Sequence, residues 1–282
     1  MDTPKGVAVE RNRQTIEIVA LILLFLGITL FTIVGFVAVD WLPVAASQHA
    51  AGVDGVIRYL LITTGAILLI GTLALVAFLW QYGRGRPTGS PQIRPKTARW
   101  VSLVPVLGMA LIAEAGVMLK GLPVWHDVYG DVPEDALVVE VTGKQFEWIV
   151  RYPGRDGIFG RVDPALIDDE ANPAGLVPED PAARDDLVYR GRLHLPVGRT
   201  VHLRLRARDV LHSFAVPAFR VKQDAVPGIV TGTTFVPTLE GSYEIACAEL
   251  CGMGHYRMGG TVVVGSEEDY ERWLAEQTGW LE

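Results

Sequence analysis

Three long apolar runs in the first 119 residues restrict what this chain can fold into more than any other feature. Ile16–Val39 and Ile57–Trp80 are 24 residues each, with one charge apiece, Glu17 and Arg58; Trp100–Leu119 is 20 residues with one, Glu114. As helices rising 1.5 Å per residue they reach about 30–36 Å, enough to cross a hydrocarbon layer of roughly 30 Å. Buried core helices are the soluble alternative. Three such runs in succession, charged mainly near their ends, read instead as membrane spans.

Loop charges orient these spans. Gly83–Arg99 carries Arg84, Arg86, Arg94, Lys96 and Arg99 and no acid, which assigns it to the cytoplasm, and Lys5, Arg11 and Arg13 assign the N-terminus there too. The Asp40–Val56 loop and everything after Leu119 then lie outside, in the manner of a multi-pass protein of a bacterial inner (plasma) membrane with a periplasmic C-terminal domain. The first run also sits where a cleaved signal peptide would. Its 24 residues exceed the usual apolar core of about 7–15, so it is read as a retained helix. The expected organisation is an N-terminal transmembrane helix or signal-anchor with an outer loop over 1–56, a transmembrane helical hairpin over 57–120, and an extracytoplasmic domain over 121–282.

The two parts differ in charge. Residues 1–120 hold 10 Lys/Arg against 6 Asp/Glu, and residues 121–282 hold 15 against 26, giving +4 and −11. An acidic outer domain argues against nucleic acid and for a basic partner. With two cysteines, Cys247 and Cys251, the chain is not a disulfide-rich scaffold.

Beyond Leu119 the pattern changes to short strand-like segments, Leu137–Thr142, Phe146–Tyr152, Thr200–Arg206, Gly228–Val236 and Ser242–Ala246, punctuated by Pro and Gly. The expected fold class is a membrane-anchored all-β protein, a sandwich or barrel behind transmembrane helices. Pro153–Arg190 reads as a long acidic insertion, the core of a 131–190 stretch with 14 acids and 6 bases. Ser266–Thr278 reads as a helix with Ser266 as N-cap, acids in its first turn, and Tyr270, Trp273 and Leu274 on one face.

The chemistry is concentrated in Cys247-Ala-Glu-Leu-Cys251-Gly-Met-Gly-His255-Tyr-Arg-Met258, where two thiols, an imidazole and a thioether fall within twelve residues. Soft sulfur with imidazole selects copper or zinc. Taken one at a time, a Cys247–Cys251 disulfide, Met258 as core filler and His255 as a structural histidine compete with that reading. The glycines Gly252 and Gly254 let the backbone close tightly, as a metal loop requires. A second imidazole, His212, lies upstream in Asp209-Val-Leu-His212-Ser-Phe. Zinc would take Cys247, Cys251, His212 and His255 and leave Met258 idle, whereas copper would use the thioether as well.

The CxExCxxxHxxM element, the DVLHSF element, the KQDAVPG segment Lys222–Gly228 and the preceding pair of apolar runs together resemble subunit II of haem–copper cytochrome c oxidases, over roughly Ile57 to Val264. That resemblance implies a cupredoxin-like Greek-key β-barrel holding the dinuclear, mixed-valence CuA copper centre. Cys247 and Cys251 would bridge the coppers, His212 and His255 would each ligate one, Met258 would be an axial ligand and Glu249 would offer its backbone carbonyl. The Glu249 side chain would reach a magnesium (Mg2+) shared with subunit I. Sharing one electron between two coppers in a compact loop keeps reorganisation small, which suits a relay with oxygen chemistry in a partner subunit.

The resemblance further implies an aa3-type cytochrome c oxidase, taking electrons from cytochrome c, or a cytochrome c domain of a neighbouring complex, and passing them to haem a beside haem a3–CuB in subunit I, with proton pumping. No CxxCH motif for a c-type haem occurs in the chain. The acidic 131–190 stretch would steer a basic donor. Two departures stand out. Where many members carry a tryptophan that receives electrons, this chain has Phe146, in Lys144-Gln145-Phe146-Glu147-Trp148, so Phe146 and Trp148 are both candidates for that role. At the start of the third run, Lys96-Thr97-Ala98-Arg99-Trp100 has no acid for a proton-path mouth, and Glu114 reads as facing protein or water.

Rivals are the CuA subunit of a haem–copper nitric oxide reductase and a membrane-tethered copper-binding or delivery protein. A quinol-oxidase subunit would lack the Cys247/Cys251 pair, and a nitrous oxide reductase would need a large further domain. A structural subunit stapled by a Cys247–Cys251 disulfide would leave Met258 replaceable.

Overall fold

The computed structural model describes residues 4–83 and 95–281, and they form two compact units, 1–41 with 55–120 and 42–54 with 121–282. The first holds helix α1 (Pro4–Ala38), most of α2 (Ala50–Gly83) and most of α3 (Pro95–Tyr129). All three are long and apolar enough to cross a membrane. They extend past the apolar runs because the runs mark only the lipid-facing stretch, while helical hydrogen bonding continues into polar sequence. Lys96 and Arg99, expected in a loop, lie in the first turns of α3; the rest of that basic loop, residues 84–94, falls outside the described residues, as do Met1–Thr3. Thr29 and Thr72 share an interhelical hydrogen bond of 3.1 Å, and Tyr59 donates to the Ile112 carbonyl. Glu114 is exposed on α3.

The second unit is a two-sheet sandwich. Its strands are β1 (Leu137–Lys144), β2 (Glu147–Tyr152), β3 (Leu187–Arg190), β4 (Arg192–Pro196), β5 (Val201–Ala207), β6 (His212–Val216), β7 (Val221–Ala225), β8 (Thr231–Phe235), β9 (Gly241–Cys247) and β10 (Gly259–Gly265). One sheet runs β3-β2-β1-β5-β8 and the other β4-β10-β9-β6-β7. The pairs β1/β5 and β10/β4 are parallel amid otherwise antiparallel ladders, so the chain crosses between sheets in the cupredoxin-like Greek-key manner expected. Alternate residues of β1 and β5, among them Val139, Val141, Leu203 and Leu205, are fully enclosed and meet Phe214, Ile245 and Val262 of the facing sheet. This alternation is the pleat's period of two.

The insertion read as Pro153–Arg190 needs one correction. Its last four residues are strand β3, hydrogen-bonded to β2 through Val150↔Tyr189 and Tyr152↔Leu187. The remainder is folded down by a buried ionic cluster in which Arg151 pairs with Glu140 and, at 2.9 Å, with Asp186, and also donates to the Gly160 carbonyl at 2.9 Å. Helix α4 (Glu267–Ala275) follows as expected, with the Ser266 hydroxyl accepting from Asp269 N–H at 3.1 Å and Tyr270 buried against the sandwich.

Residues 42–54 belong to this unit through backbone hydrogen bonds. Ala46 N–H donates to Ala218 O at 2.8 Å, Gln48 N–H to Val236 O at 3.0 Å, and Thr238 N–H to Ala46 O at 2.9 Å. Arg220 locks the contact. It sits at φ 55, a left-handed conformation that costs a non-glycine residue about 1 kcal/mol. Its guanidinium is held by Asp54 at 2.7 and 3.0 Å and by the carbonyls of Pro43 and Pro217.

Candidate metal centre

The loop that joins β9 to β10 and the first residue of β6 meet at one end of the sandwich. Register sets this up: Phe214 of β6 pairs with Cys247 of β9, so His212 projects beside the start of the loop. The loop closes on itself where Cys247 N–H donates to Met258 O at 3.1 Å, and Ala248 N–H donates to Ser213 O at 2.9 Å. Ligand atoms of His212, Cys247 and Cys251 lie within 4.8 Å of one another, all buried. Cys247 and Cys251 are free thiols with sulfurs 3.9 Å apart. Cys251 Sγ stands 3.6 Å from His255 Nδ1 and 3.7 Å from Met258 Sδ, and Cys247 Sγ–H donates to the Glu249 carbonyl at 3.2 Å. The two thiols, two imidazoles, thioether and Glu249 carbonyl singled out in the sequence are thus gathered in one place.

Charge and hydrogen bonding prepare the imidazole. His212 is fully enclosed, its Nε2 is 2.8 Å from Asp209 Oδ1, and its Nδ1 has no protein partner. Burial works to raise the Asp209 carboxyl, but donors from Gln145 N–H, His212 and Val210 N–H outweigh it, and Asp209 stays below the usual carboxylate range. An ionised Asp209 fixes the proton on Nε2 and leaves the Nδ1 lone pair free to bind a cation, the carboxylate–histidine arrangement common behind metal ligands. Burial pushes the Cys251 thiol up to about 11, with Cys247 beside it adding to the effect. The Cys251 thiol therefore stays protonated until a cation displaces its proton. A buried, unpartnered imidazole nitrogen beside two close, unoxidised thiols fits a thiophilic metal, and the additional thioether fits copper.

Close packing holds the loop shut. A Cβ on Gly254 would come within 2.4 Å of the Phe146 ring, and one on Gly252 within 2.7 Å of Gln145 Nε2; the Gln145 amide also donates to the Cys251 carbonyl at 2.5 Å. Gly143 of β1 lies against the His212 ring. The sequence reading gave no role to Asp209, Gln145 or Gly143. Asp209 was signalled by its place three residues before His212, while Gly143 is brought in only by strand β1 and Gln145 only by the β1–β2 turn.

The aromatic candidates separate. Phe146 occupies that turn, half-buried over the loop, with the Arg257 guanidinium 5.8 Å from its ring. Trp148 is fully enclosed and packs edge-on against His212 at 5.9 Å and Phe214 at 5.4 Å. Around the loop, Leu250, Met253 and Tyr256 are 82, 96 and 86% exposed, an apolar rim beside the buried donors.

The acidic stretch is less free than its composition suggests. Asp169 pairs with Lys144 and Arg208, Asp180 with Arg161, and Glu147 with Lys144 and Arg190. Asp156, Asp163, Asp168 and Asp185 accept nearby backbone N–H groups. Much of the stretch's negative charge is spent on shaping the insertion.

Comparison with known proteins agrees with this geometry. Residues 137–266 match the family model for cytochrome c oxidase subunit II, periplasmic domain. The alternative cytochrome c oxidase subunit 2 of Bradyrhizobium diazoefficiens is 38% identical over 262 residues, covering 92% of this chain and 91% of that protein. Cytochrome c oxidase subunit 2 of Cereibacter sphaeroides is 31% identical over 252 residues, covering 84% and 78%. Among solved structures, the periplasmic domain of a cytochrome oxidase subunit II of Bradyrhizobium japonicum covers 51% of this chain and 95% of its own, at 29% identity and a TM-score of 0.38. With the match to the family's periplasmic domain and 38% identity to the Bradyrhizobium subunit over nearly the full length of both chains, the chain belongs to the cytochrome c oxidase subunit II family.

Proposed function

We propose that this chain is subunit II of an aa3-type cytochrome c oxidase in a bacterial plasma membrane, taking electrons from cytochrome c on the periplasmic side and passing them to haem a in subunit I for oxygen reduction coupled to proton pumping. Cys247, Cys251, His212, His255, Met258 and the Glu249 carbonyl would hold a dinuclear copper centre, which when bound supplies reversible one-electron transfer. The observation that carries the reading is the buried His212 Nδ1, unpartnered in the protein, beside two thiols 3.9 Å apart.

The remaining groups have supporting tasks. Asp209 holds His212 in the ligating tautomer, Gln145 and Phe146 hold the loop, and the sandwich excludes water from the sulfurs. Of the two aromatic candidates, Phe146 suits contact with a donor because it lies against Gly252 and Gly254 of the loop that carries the exposed Leu250, Met253 and Tyr256. Trp148, wholly enclosed, instead braces the His212 ring. The Glu249 side chain is the candidate ligand for magnesium at the contact with subunit I. His212, Cys247, Cys251 and Met258 are buried, which suits a relay better than an exposed, readily exchanged delivery site.

Copper quantitation and electron paramagnetic resonance of the full chain in its assembled oxidase test this reading. Two coppers per chain sharing one unpaired electron are expected. A single ordinary copper signal, or zinc bound in place of a paramagnetic pair, overturns it.

A further inference from the structure

The groove between α1 and α2 carries chemistry that electron transfer does not use. It encloses about 650 Å3 and is lined by Phe36 and Val37 of α1 and by Arg58, Leu61, Gly65 and Leu69 of α2. Apart from Thr32 and Thr64, whose hydroxyls donate to their own helix carbonyls, its walls are apolar except at one end, where Arg58 stands exposed and makes no ion pair with any described residue. An arginine on a lipid-facing helix surface needs a counter-charge or a path to water.

The dimensions match one lipid leaflet. From Arg58 to Leu69 is eleven residues, about 16 Å of helix rise, and half of a hydrocarbon layer of roughly 30 Å is about 15 Å. Arg58 is the second residue of the apolar run Ile57–Trp80, which sets its guanidinium toward the headgroups of a spanning helix while the groove runs on toward mid-bilayer. Gly65 makes the floor: a Cβ there would meet nothing within 4 Å. The Thr29–Thr72 hydrogen bond holds the two helices together just beyond the groove's deep end.

We propose that this groove is a binding site for an anionic glycerophospholipid, with its phosphate paired to Arg58 and an acyl chain along Phe36, Leu61, Gly65 and Leu69. A planar guanidinium with five donors suits a phosphodiester, and a zwitterionic headgroup loses part of that attraction to its own ammonium. The inference rests on the membrane-spanning helices alone and stands apart from the copper reading.

The test uses the assembled oxidase in nanodiscs carrying trace photoactivatable phosphatidylglycerol or photoactivatable phosphatidylcholine, with labelled peptides located by mass spectrometry. Phosphatidylglycerol is expected to label the 32–37 and 58–69 segments about tenfold more than phosphatidylcholine, the ratio one well-placed charge contact supports. R58Q brings the two lipids to equal labelling, and G65L, which fills the floor, suppresses both. Unchanged haem and copper content in each variant checks assembly. Equal labelling by both lipids in the unaltered oxidase overturns the proposal, as does labelling that falls on another subunit's chain instead of these helices, which would mean that protein covers the groove.

Discussion

Gly143 offers the sharpest test of how the proposed metal centre would be held, because it is not among the candidate ligands and yet bounds the His212 ring. A Cβ added there would stand 2.9 Å from His212 Cδ2 and 3.0 Å from Trp148 Cζ3. Ordinary carbon contacts begin at about 3.5–4.0 Å, so G143A requires a displacement of roughly 0.6–1.1 Å from His212. Neither ring has room to retreat, since Trp148 and His212 are fully enclosed and already pack against each other. If His212 takes the movement, Nδ1 shifts by more than the ~0.2 Å that metal–ligand distances tolerate. The expected loss is about 10–100-fold in copper affinity, with about 1–3 kcal/mol of stability from overpacking. Competitive chelator titration of the full chain reads the first and thermal unfolding of the metal-free chain the second. G121A, where the new methyl meets nothing within 4 Å, is the control. Retention of full copper affinity by a destabilised G143A would refute the claim that this strand sets the imidazole's place.

Three further outcomes follow from the same geometry. D209N replaces the carboxylate acceptor at His212 Nε2 with an amide able to donate, freeing the proton to move to Nδ1; copper affinity should fall about 10–100-fold, and undiminished affinity would remove Asp209 from the design. M258L keeps the buried volume, so unfolding should change by less than about 1.5 kcal/mol while the copper spectrum or potential shifts; an unaltered spectrum would mean that the thioether is only core filling. Burial pushes Asp186 up to about 6, with the neighbouring Asp185 adding and Arg151 and the Gly160 N–H opposing. The folded chain therefore holds a proton that the unfolded chain releases, and this group's contribution falls as pH rises from about 4 to 6, by on the order of 2 kcal/mol. The stability difference between D186N and the unaltered chain should shift in favour of D186N across that window; a difference independent of pH would count against it.

The donor side chains that the fold gathers were legible as a group because they lie in sequence-local strings: four of them fall in one twelve-residue stretch, and His212 is marked by its neighbours. What orders those donors was not legible. Gln145 reaches Cys251 across a separation of 106 residues, and no local pattern encodes such a contact. The strands divide in the same way. Alternating β1 and β5 announce themselves, but His212–Val216 is buried on both faces, which erases the period of two. Gly259–Gly265 is flanked by the glycines that usually mark turns, and Leu187–Arg190 is a short edge at the end of an acidic tract. The 131–190 charge surplus was counted correctly, yet composition could not say which acids were bound to arginines inside the fold.

The docking of residues 42–54 bears on the order in which the molecule is made. Ser47 donates to Phe219 O across 172 residues, and closing so long a flexible loop costs about 5 kcal/mol in chain entropy. Two membrane crossings lie between those partners, and once inserted they return the chain to the side from which it left. Insertion thereby removes most of that search before the sandwich exists. The segment emerges early in synthesis and has nothing to bind until Pro217–Thr238 is complete, so the final seam of the outer domain is sewn by a thread laid down first. A β domain released from its helices would lack that thread, leaving the carbonyls of Ala218, Phe219 and Val236 without the partners they have here.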